Sequence, residues 1–227
     1  SAILEIDRQG DVVARRFAEG IIRSAERMTY TNVQLVLDGD AAQRARYAAF
    51  VERFQLMEEL ALVLNRKRVK RGSIDFDLPE AQVLFDETGE MTGIERTPRL
   101  MAHRIIEEFM LAANEAVAGA LEDHGVPSIY RVHERPDPKK VAIFAELAQS
   151  FGFKFGGGSL GVKTFARYER KRDGRKVRKE ITVYEDGGEI TSQAYQKLIA
   201  QIEGKPEERV LSYQLLRSLK QARYAAE

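Results

Sequence analysis

Three polar residues in one stretch of the chain have the types and the spacing for chemistry. His103, Glu107 and Asn114 follow one another at intervals of four and seven residues, so on a helix they share one face. An imidazole, a carboxylate and an amide on one face can bind a polar ligand or exchange protons with it. The sequence therefore predicts a polar, ligand-facing strip on this helix.

Glu107 and its neighbour Glu108 are predicted to have different surroundings. Adjacent residues on a helix point roughly 100° apart, so we expect that the two carboxylates do not serve one site. Arg104 precedes Glu108 by four residues and can satisfy it as a surface ion pair. This interpretation leaves Glu107 as the candidate functional carboxylate.

The sequence motifs that would indicate a metal site or a catalytic nucleophile are weak. Asp75 and Asp77 would lie on one side of a strand and could bind a divalent ion, but such a pair is more often the solvent side of a half-buried strand. No HExxH or GxSxG pattern occurs, although a dispersed Ser-His-Asp triad stays compatible with the sequence. We predict no metal site, and we expect the histidines to be structural or surface residues. They are His103, His124 and His133.

Two basic tracts could attract phosphates. The first follows a long predicted helix and contains Arg66, Lys67, Arg68, Lys70 and Arg71. The second crowds a predicted hairpin in which aromatic residues are interleaved. Its candidate phosphate contacts are Arg170, Lys171, Arg172, Arg175 and Lys176. Aromatic rings among cations can stack on nucleic-acid bases, whereas a hairpin without a partner also keeps its charges in water. Both interpretations stay open.

The elements that must position these residues follow from periodicity and turn signals. Helices are predicted over residues 29–37, 41–65, 101–121, 139–151, 192–202 and 207–226. Strands are predicted over residues 3–6, 12–24, 73–77, 82–85, 93–96, 126–133, 163–172 and 175–184. Short, locally paired, mostly antiparallel strands with long helices packed on them indicate an α+β fold.

The predicted helix over residues 101–121 also carries an apolar stripe, which we expect to be buried. Its members recur at three- and four-residue steps. They are Ile106, Phe109, Met110, Ala113, Val117 and Leu121. The polar strip would lie beside this stripe.

Composition narrows the class of protein. The chain has 227 residues, of which 44% are hydrophobic and 31% charged, and its formal net charge is +1. This balance is typical of a globular domain, and no apolar run reaches the length of a membrane-spanning helix. The absence of cysteine excludes a disulfide scaffold, and with no signal-peptide pattern at the start it predicts a cytoplasmic protein.

The two ends predict a piece of a longer protein. The first residue is Ser1, and the last predicted helix continues to Ala226 without a capping glycine or proline. An ordinary C-terminal helix, in a protein from which a tag was removed, is the alternative.

Five blocks of sequence occur in the order of a known family. They are residues 22–30 (IRSAERMTY), 71–80 (RGSIDFDLPE), 102–114 (AHRIIEEFMLAAN), 130–136 (YRVHERP) and 215–222 (LLRSLKQA). In these blocks the chain resembles the catalytic RNB domain of the ribonuclease II/ribonuclease R exoribonucleases, most closely the bacterial ribonuclease R type. The resemblance covers residues 3–224 and is interrupted over residues 156–190.

The resemblance implies a 3′-to-5′ exoribonuclease that uses Mg²⁺ and releases nucleoside 5′-monophosphates. In the family, aspartates upstream of this region hold the metal and a downstream arginine stabilises the transition state; no segment here matches either. We therefore expect residues 1–227 to be a partial RNB domain that is inactive alone and binds the single-stranded 3′ end of RNA. The alternative is a non-catalytic RNA-binding or protein-interaction module derived from the same domain.

The resemblance also assigns site residues. Tyr30 matches the tyrosine that holds the terminal nucleotide, Glu107 matches the glutamate that works with it, and Phe76 aligns approximately with an aromatic that stacks on RNA. The alternative for Tyr30 is a buried tyrosine at a helix start. The basic hairpin, at about residues 160–186, is an insertion relative to the family, and we expect it to contact RNA. Surfaces that would contact the missing segments are expected to favour association between copies of the chain. We expect no membrane partner.

Overall fold

The computed structural model describes residues 1–75, 80–155, 162–170, 176–184 and 191–226. The chain folds as two compact units. Unit 1 comprises Ser1–Arg71 and Pro79–Ser128, and unit 2 comprises Gly72–Leu78 and Ile129–Glu227. The described strands form four two-stranded antiparallel sheets. Together with the helices they confirm the predicted α+β class.

Unit 1 contains two hairpins and most of the long helices. In chain order its elements are β1 (Ala2–Ile6), β2 (Val12–Phe17), α1 (Tyr30–Asp38), α2 (Ala41–Arg46), α3 (Val51–Arg71), β3 (Glu80–Phe85), β4 (Met91–Thr97) and α4 (Met101–Asp123). Strand β1 pairs with β2, and β3 pairs with β4. Helix α4 packs against α1 and α3.

Unit 2 is built on an apolar helical core. Its elements are β5 (Ile129–Val132), α5 (Pro138–Ser150), β6 (Val162–Arg170), β7 (Lys176–Tyr184), α6 (Ser192–Ile202), α7 (Glu208–Ser218) and β8 (Arg223–Ala226). Helices α5, α6 and α7 bury side chains that include Val141, Phe144, Tyr195, Leu198, Leu211 and Leu215. The predicted hairpin is confirmed as β6 paired with β7, while its turn at residues 171–175 lies outside the described residues.

Local signals determine the bounds of α1. Thr29 is its N-cap, and the Thr29 hydroxyl accepts a hydrogen bond from the Asn32 amide at 3.2 Å. Gly39 ends the helix with φ 94°, a left-handed conformation that glycine adopts without a steric penalty. The prediction of a helix ending at this glycine is therefore confirmed.

The single helix predicted over residues 41–65 is wrong. Helix α2 ends at Arg46, Tyr47 leaves helical geometry, and a 3₁₀ turn at Ala48–Phe50 leads into α3. The break buries Tyr47 beside Val36 and Phe54, a packing gain that outweighs helical continuity. Helix α3 runs to Arg71, so the first basic tract forms its last turns and not a loop.

Three predicted strands and the last predicted helix also differ from the structure. Strand β2 stops at Phe17, the strand predicted over 126–133 shortens to β5, and residues 73–75 are not a strand. The helix predicted over 207–226 ends at Ser218, and β8 then pairs with β5. This pairing joins segments far apart in sequence, and periodicity within one segment does not report it.

The buried face of α4 differs from the predicted stripe. Ala102, Ile105, Glu108 and Ala116 are buried, whereas Ile106 is 38% exposed and Met110 58%. Apolar residues recur at helical spacing on both faces, so the sequence pattern did not distinguish them. No helix among the described residues is both long and apolar enough to cross a membrane.

Candidate functional site

A buried carboxylate lies at the contact between α3 and α4. The Glu108 side chain is 4% exposed and accepts hydrogen bonds from Asn65 Nδ2 at 2.8 Å and from Arg68 Nη2 at 2.7 Å. Arg68 Nε donates to the same carboxylate at 3.0 Å. Because a buried carboxylate is costly unless it is paired and hydrogen-bonded, these contacts make Glu108 a structural residue.

Glu107 shares the same arginine but faces outward. Its Oε1 accepts from Arg68 Nη2 at 3.2 Å, its Oε2 accepts from Arg99 Nη2 at 2.9 Å, and the side chain is 38% exposed. The two adjacent carboxylates therefore have different surroundings, as predicted, although the Arg68 guanidinium from α3 donates to both. The predicted surface pair of Arg104 with Glu108 is wrong, because Glu108 is buried and paired with Arg68.

Tyr30 and His103 bring the starts of α1 and α4 together. Their ring centroids are 4.2 Å apart with the planes tilted by 36°. Tyr30 is 45% exposed, so it is not the buried tyrosine that we held as the alternative. His103 precedes Glu107 by one turn of α4, so the residue that contacts Tyr30 lies on the same face of α4 as Glu107. The predicted third member of this strip, Asn114, is exposed further along the helix.

A second contact braces α1 against α4. The backbone amide of Ala102 donates to Gln34 Oε1 at 3.1 Å, and Gln34 Nε2 donates to Asp38 at 2.8 Å. Gln34 follows Tyr30 by four residues, on the same side of α1. The helix starts are thus joined by a ring contact and by a hydrogen bond to an amide that would otherwise lack a partner within its helix.

The Tyr30–His103–Glu107 site offers a phenol, an imidazole and a half-exposed carboxylate. Such groups bind hydroxyls and aromatic rings. Among the described residues, no three His, Cys, Asp or Glu side chains gather in a way that could hold a metal ion.

A cavity of about 390 Å³ opens beside the network, between the β1–β2 hairpin and helices α3 and α4. Its lining residues include Arg68, Glu108, Arg71 and Glu115. Arg71 donates to Glu115 at 2.7 Å, and this hydrogen bond lowers the pKa of the Glu115 carboxyl from its ordinary value. Both side chains are therefore charged at neutral pH.

Several predicted site residues fall outside the part of the chain that can be described. These are Phe76, Lys171, Arg172 and Arg175. Arg170 and Lys176 occupy opposite register positions at one end of the β6–β7 pair. The predicted role of the hairpin stays a prediction.

The two other histidines contact backbone carbonyls. His124 Nδ1 lies 2.7 Å from the carbonyl oxygen of Ala120, and His133 Nε2 contacts that of Lys220. Both residues are exposed. Their contacts agree with the structural or surface role expected for them.

Sequence reasoning missed the residues that hold the two glutamates. Asn65 and Arg68 continue the spacing of buried Ala61 and Leu64, at positions i+4 and i+7 from Ala61. Two polar residues on an otherwise apolar face indicate a buried polar partner, and this signal was available. No comparable signal marks Arg99, which lies just before α4.

The family model for the RNB domain matches residues 1–227. The chain is 39% identical over 219 residues to Ribonuclease R of Aquifex aeolicus, a match that covers 96% of this chain and 27% of that protein. It is 36% identical over 225 residues to Ribonuclease R 1 of Lactococcus lactis, covering 99% of this chain and 24% of that protein. The chain thus spans about a quarter of the length of these relatives.

Solved structures show the same fold. The structure of Mycoplasma genitalium RNase R in complex with ribose-methylated single-stranded RNA matches 98% of this chain and 30% of that one, with a TM-score of 0.75 and 21% identity. The complex of the same protein with double-stranded RNA also has a TM-score of 0.75, at 22% identity, and matches 98% of this chain and 34% of that one.

Proposed function

The chain belongs to the RNB domain family, and we propose that it is part of a 3′-to-5′ exoribonuclease in which it supplies the clamp for the RNA 3′ end. The observation that carries this proposal is the contrast between the two adjacent glutamates. Glu108 is buried in a structural network, whereas Glu107 is held by Arg68 and Arg99 and stays open to a ligand. A half-exposed Tyr30 lies near the start of the same strip.

The proposed clamp works by positioning. The Glu107 carboxylate accepts a hydrogen bond from a hydroxyl of the terminal ribose, a charge-assisted bond stronger than a neutral one. Tyr30 provides an aromatic face and a phenol for the terminal nucleotide. Arg68 and Arg99 hold the carboxylate in place, because each donates to a different oxygen of Glu107. A correctly held end brings its last phosphodiester to the reactive groups, which lowers the barrier to hydrolysis.

The hydrolytic chemistry is proposed to come from other parts of the full-length protein. In the family, Mg²⁺ activates water and stabilises charge on phosphate, and upstream aspartates hold it. The described residues contain no such cluster, so we propose that the 227-residue chain alone releases no nucleoside 5′-monophosphates. We also propose that copies of the chain associate with one another and that the full-length protein is cytoplasmic.

RNA is the proposed partner, and its single-stranded 3′ end is the proposed ligand. Two observations support this: relatives of the chain are named as ribonucleases, and structures of the same fold contain RNA. The basic β6–β7 hairpin is proposed as an additional RNA contact. Charge reversal at Arg170, Lys171 and Arg172 in the full-length protein tests it, since an unchanged RNA affinity and salt dependence would remove the hairpin from the proposal.

The main test uses full-length protein with Tyr30→Ala and, as a matched control, Tyr224→Ala, which alters a tyrosine that is 73% exposed on β8. With an RNA labelled at its 5′ end and Mg²⁺ present, wild type and Tyr224→Ala should shorten the RNA from its 3′ end. Tyr30→Ala should weaken RNA affinity by about 10-fold, as expected for loss of one stacked base. RNA binding without degradation by wild type would favour the non-catalytic alternative.

A further inference from the structure

His103 contacts Tyr30 and lies one helical turn before Glu107, so it adjoins both proposed clamp residues. We propose that His103 is a positioning residue: its imidazole fixes the ring of Tyr30 in the orientation that receives the RNA 3′ end. This inference rests on the proposed clamp and adds a residue to it. The contact that motivates it is the pair of rings 4.2 Å apart at the starts of α1 and α4.

The imidazole is itself fixed by the backbone. The amide of Leu100, the N-cap residue of α4, donates to His103 Nδ1 at 3.1 Å. Nδ1 is therefore the acceptor nitrogen, and in the neutral ring Nε2 carries the proton. The ring cannot turn away from Tyr30 without leaving the Leu100 amide unpaired, so the helix cap holds the imidazole in place.

Tyr30 needs such a support because it is only half-buried. It is the first residue of α1 and is 45% exposed, so the protein packs against only part of it. A contact between two rings contributes an amount that corresponds to roughly 2- to 12-fold in an equilibrium constant. A free-energy difference of this size is enough to favour one orientation of the Tyr30 side chain and thereby to change the affinity for a nucleotide.

The helix starts have a second link that does not involve His103. Gln34 Oε1 accepts from the Ala102 amide at 3.1 Å, which holds α1 beside α4. Substitution of His103 should therefore release the Tyr30 ring without separating the helices. This allows a positioning role to be distinguished from a purely structural one.

Two variants distinguish the contribution of the His103 ring from that of its acceptor nitrogen. His103→Gln keeps an acceptor at the third helical position, where glutamine is a natural cap, and removes the ring. His103→Phe keeps a ring and removes the acceptor.

The readout is the end preference of the full-length protein in Mg²⁺-free buffer. We define end preference as the ratio of affinities for an RNA with an intact 3′-terminal nucleotide and for the same RNA ending in an abasic residue without 2′ and 3′ hydroxyls. This residue lacks both the base proposed to stack on Tyr30 and the hydroxyls proposed to bind Glu107.

If the ring positions Tyr30, His103→Gln lowers the end preference by roughly 2- to 12-fold. His103→Phe lowers it by less, because the ring contact remains although the hydrogen bond that holds the ring is lost. In a Tyr30→Ala background, His103→Gln should then have no further effect, because its only target is gone. Equal losses in both variants, or a His103→Gln effect that persists without Tyr30, would overturn the positioning role.

The same variants distinguish a failure of the role inferred for His103 from a failure of the proposed clamp. If Tyr30→Ala lowers the end preference and His103→Gln does not, the clamp stands and the role of His103 is overturned. If Tyr30→Ala leaves the end preference unchanged, the clamp falls and the role of His103 falls with it.

Discussion

The helix contact of unit 1 and the helix core of unit 2 are stabilised in different ways. Between α3 and α4, Asn65 and Arg68 surround the buried carboxylate of Glu108. In unit 2, helices α5, α6 and α7 meet through aliphatic and aromatic side chains such as Leu215. Apolar packing tolerates many arrangements of similar volume, whereas a polar network requires particular partners at particular distances. The unit with the polar network is also the unit that presents Glu107 outward.

This difference suggests what the polar network contributes. Replacing a buried ion pair by apolar residues is often neutral or stabilising, so stability alone does not require Glu108 and Arg68. Arg68 also donates to Glu107, the half-exposed carboxylate. The network therefore orients Glu107 in addition to satisfying the buried Glu108, because one guanidinium donates to both carboxylates.

The largest effect is expected from Arg68→Met. It leaves the buried Glu108 carboxylate without its cation, a change that typically costs about 3–5 kcal/mol. Amide hydrogen exchange in α3 and α4 would measure the free energy of opening. The control is Arg104→Met, the same substitution at an exposed arginine on α4, expected to stay within about 0.5 kcal/mol of wild type. Equal effects of the two variants would show that Arg68 is not structural.

In unit 2, Leu215→Ala tests the apolar side of the comparison. Leu215 is fully buried, and its truncation should cost about 2–5 kcal/mol through lost burial and a cavity. The adjacent Leu216 is 42% exposed, so Leu216→Ala is the matched control on the same helix. Hydrogen exchange of the backbone amides in α5, α6 and α7 measures the loss of stability. Similar protection in the two variants would mean that α7 does not bury Leu215 as described.

Asn65→Ala separates hydrogen bonding from charge within the polar network. It removes one donor to Glu108 but leaves Arg68 in place, so we expect a smaller loss of about 1.5–3 kcal/mol. Asn114→Ala, at an exposed asparagine of α4, is the control and should have little effect. If Asn65→Ala destabilises α3 and α4 as strongly as Arg68→Met, the hydrogen bond and not the charge dominates the network.

The smallest effect concerns an exposed ion pair of unit 2. Glu134 accepts from Lys220 Nζ at 2.9 Å and from Arg223 Nε at 2.7 Å, and these hydrogen bonds lower its pKa from 4.5 to about 2. Because the folded pKa lies below the unfolded value, the contribution is present above about pH 4.5 and is lost as the pH falls towards 2.

Glu134→Gln should remove this pH-dependent contribution. The difference in unfolding free energy between wild type and Glu134→Gln should be constant above about pH 4.5 and shrink as the pH approaches 2. Chemical denaturation of both proteins at several pH values measures it. A difference that does not change with pH in this interval would show that Glu134 titrates normally in the folded protein.

The sequence predicted features that depend on local signals. Thr29 and Gly39 gave the bounds of α1, because capping depends on residues next to the helix end. The class of fold, the β6–β7 hairpin and the family followed from turn signals and ordered sequence blocks. The different surroundings of Glu107 and Glu108 were also predicted, because adjacent residues on a helix point in different directions.

Features that depend on distant partners were missed. The buried face of α4 and the burial of Glu108 are decided by Arg68, which lies 40 residues away in the sequence. Both faces of α4 carry apolar residues, so periodicity could not choose between Ile105 and Ile106. Strand β8 was missed because its partner β5 lies almost a hundred residues earlier.

The central claim is that adjacent Glu107 and Glu108 have different functions, and two single variants test it most directly. In full-length protein, Glu107→Gln should lower the end preference by about 10-fold, the value of a hydrogen bond to a charged group, while the protection of α3 and α4 stays near wild type. Glu108→Gln should lower that protection, because it removes the buried charge that Arg68 pairs with. An end preference that Glu107→Gln leaves unchanged would contradict the account.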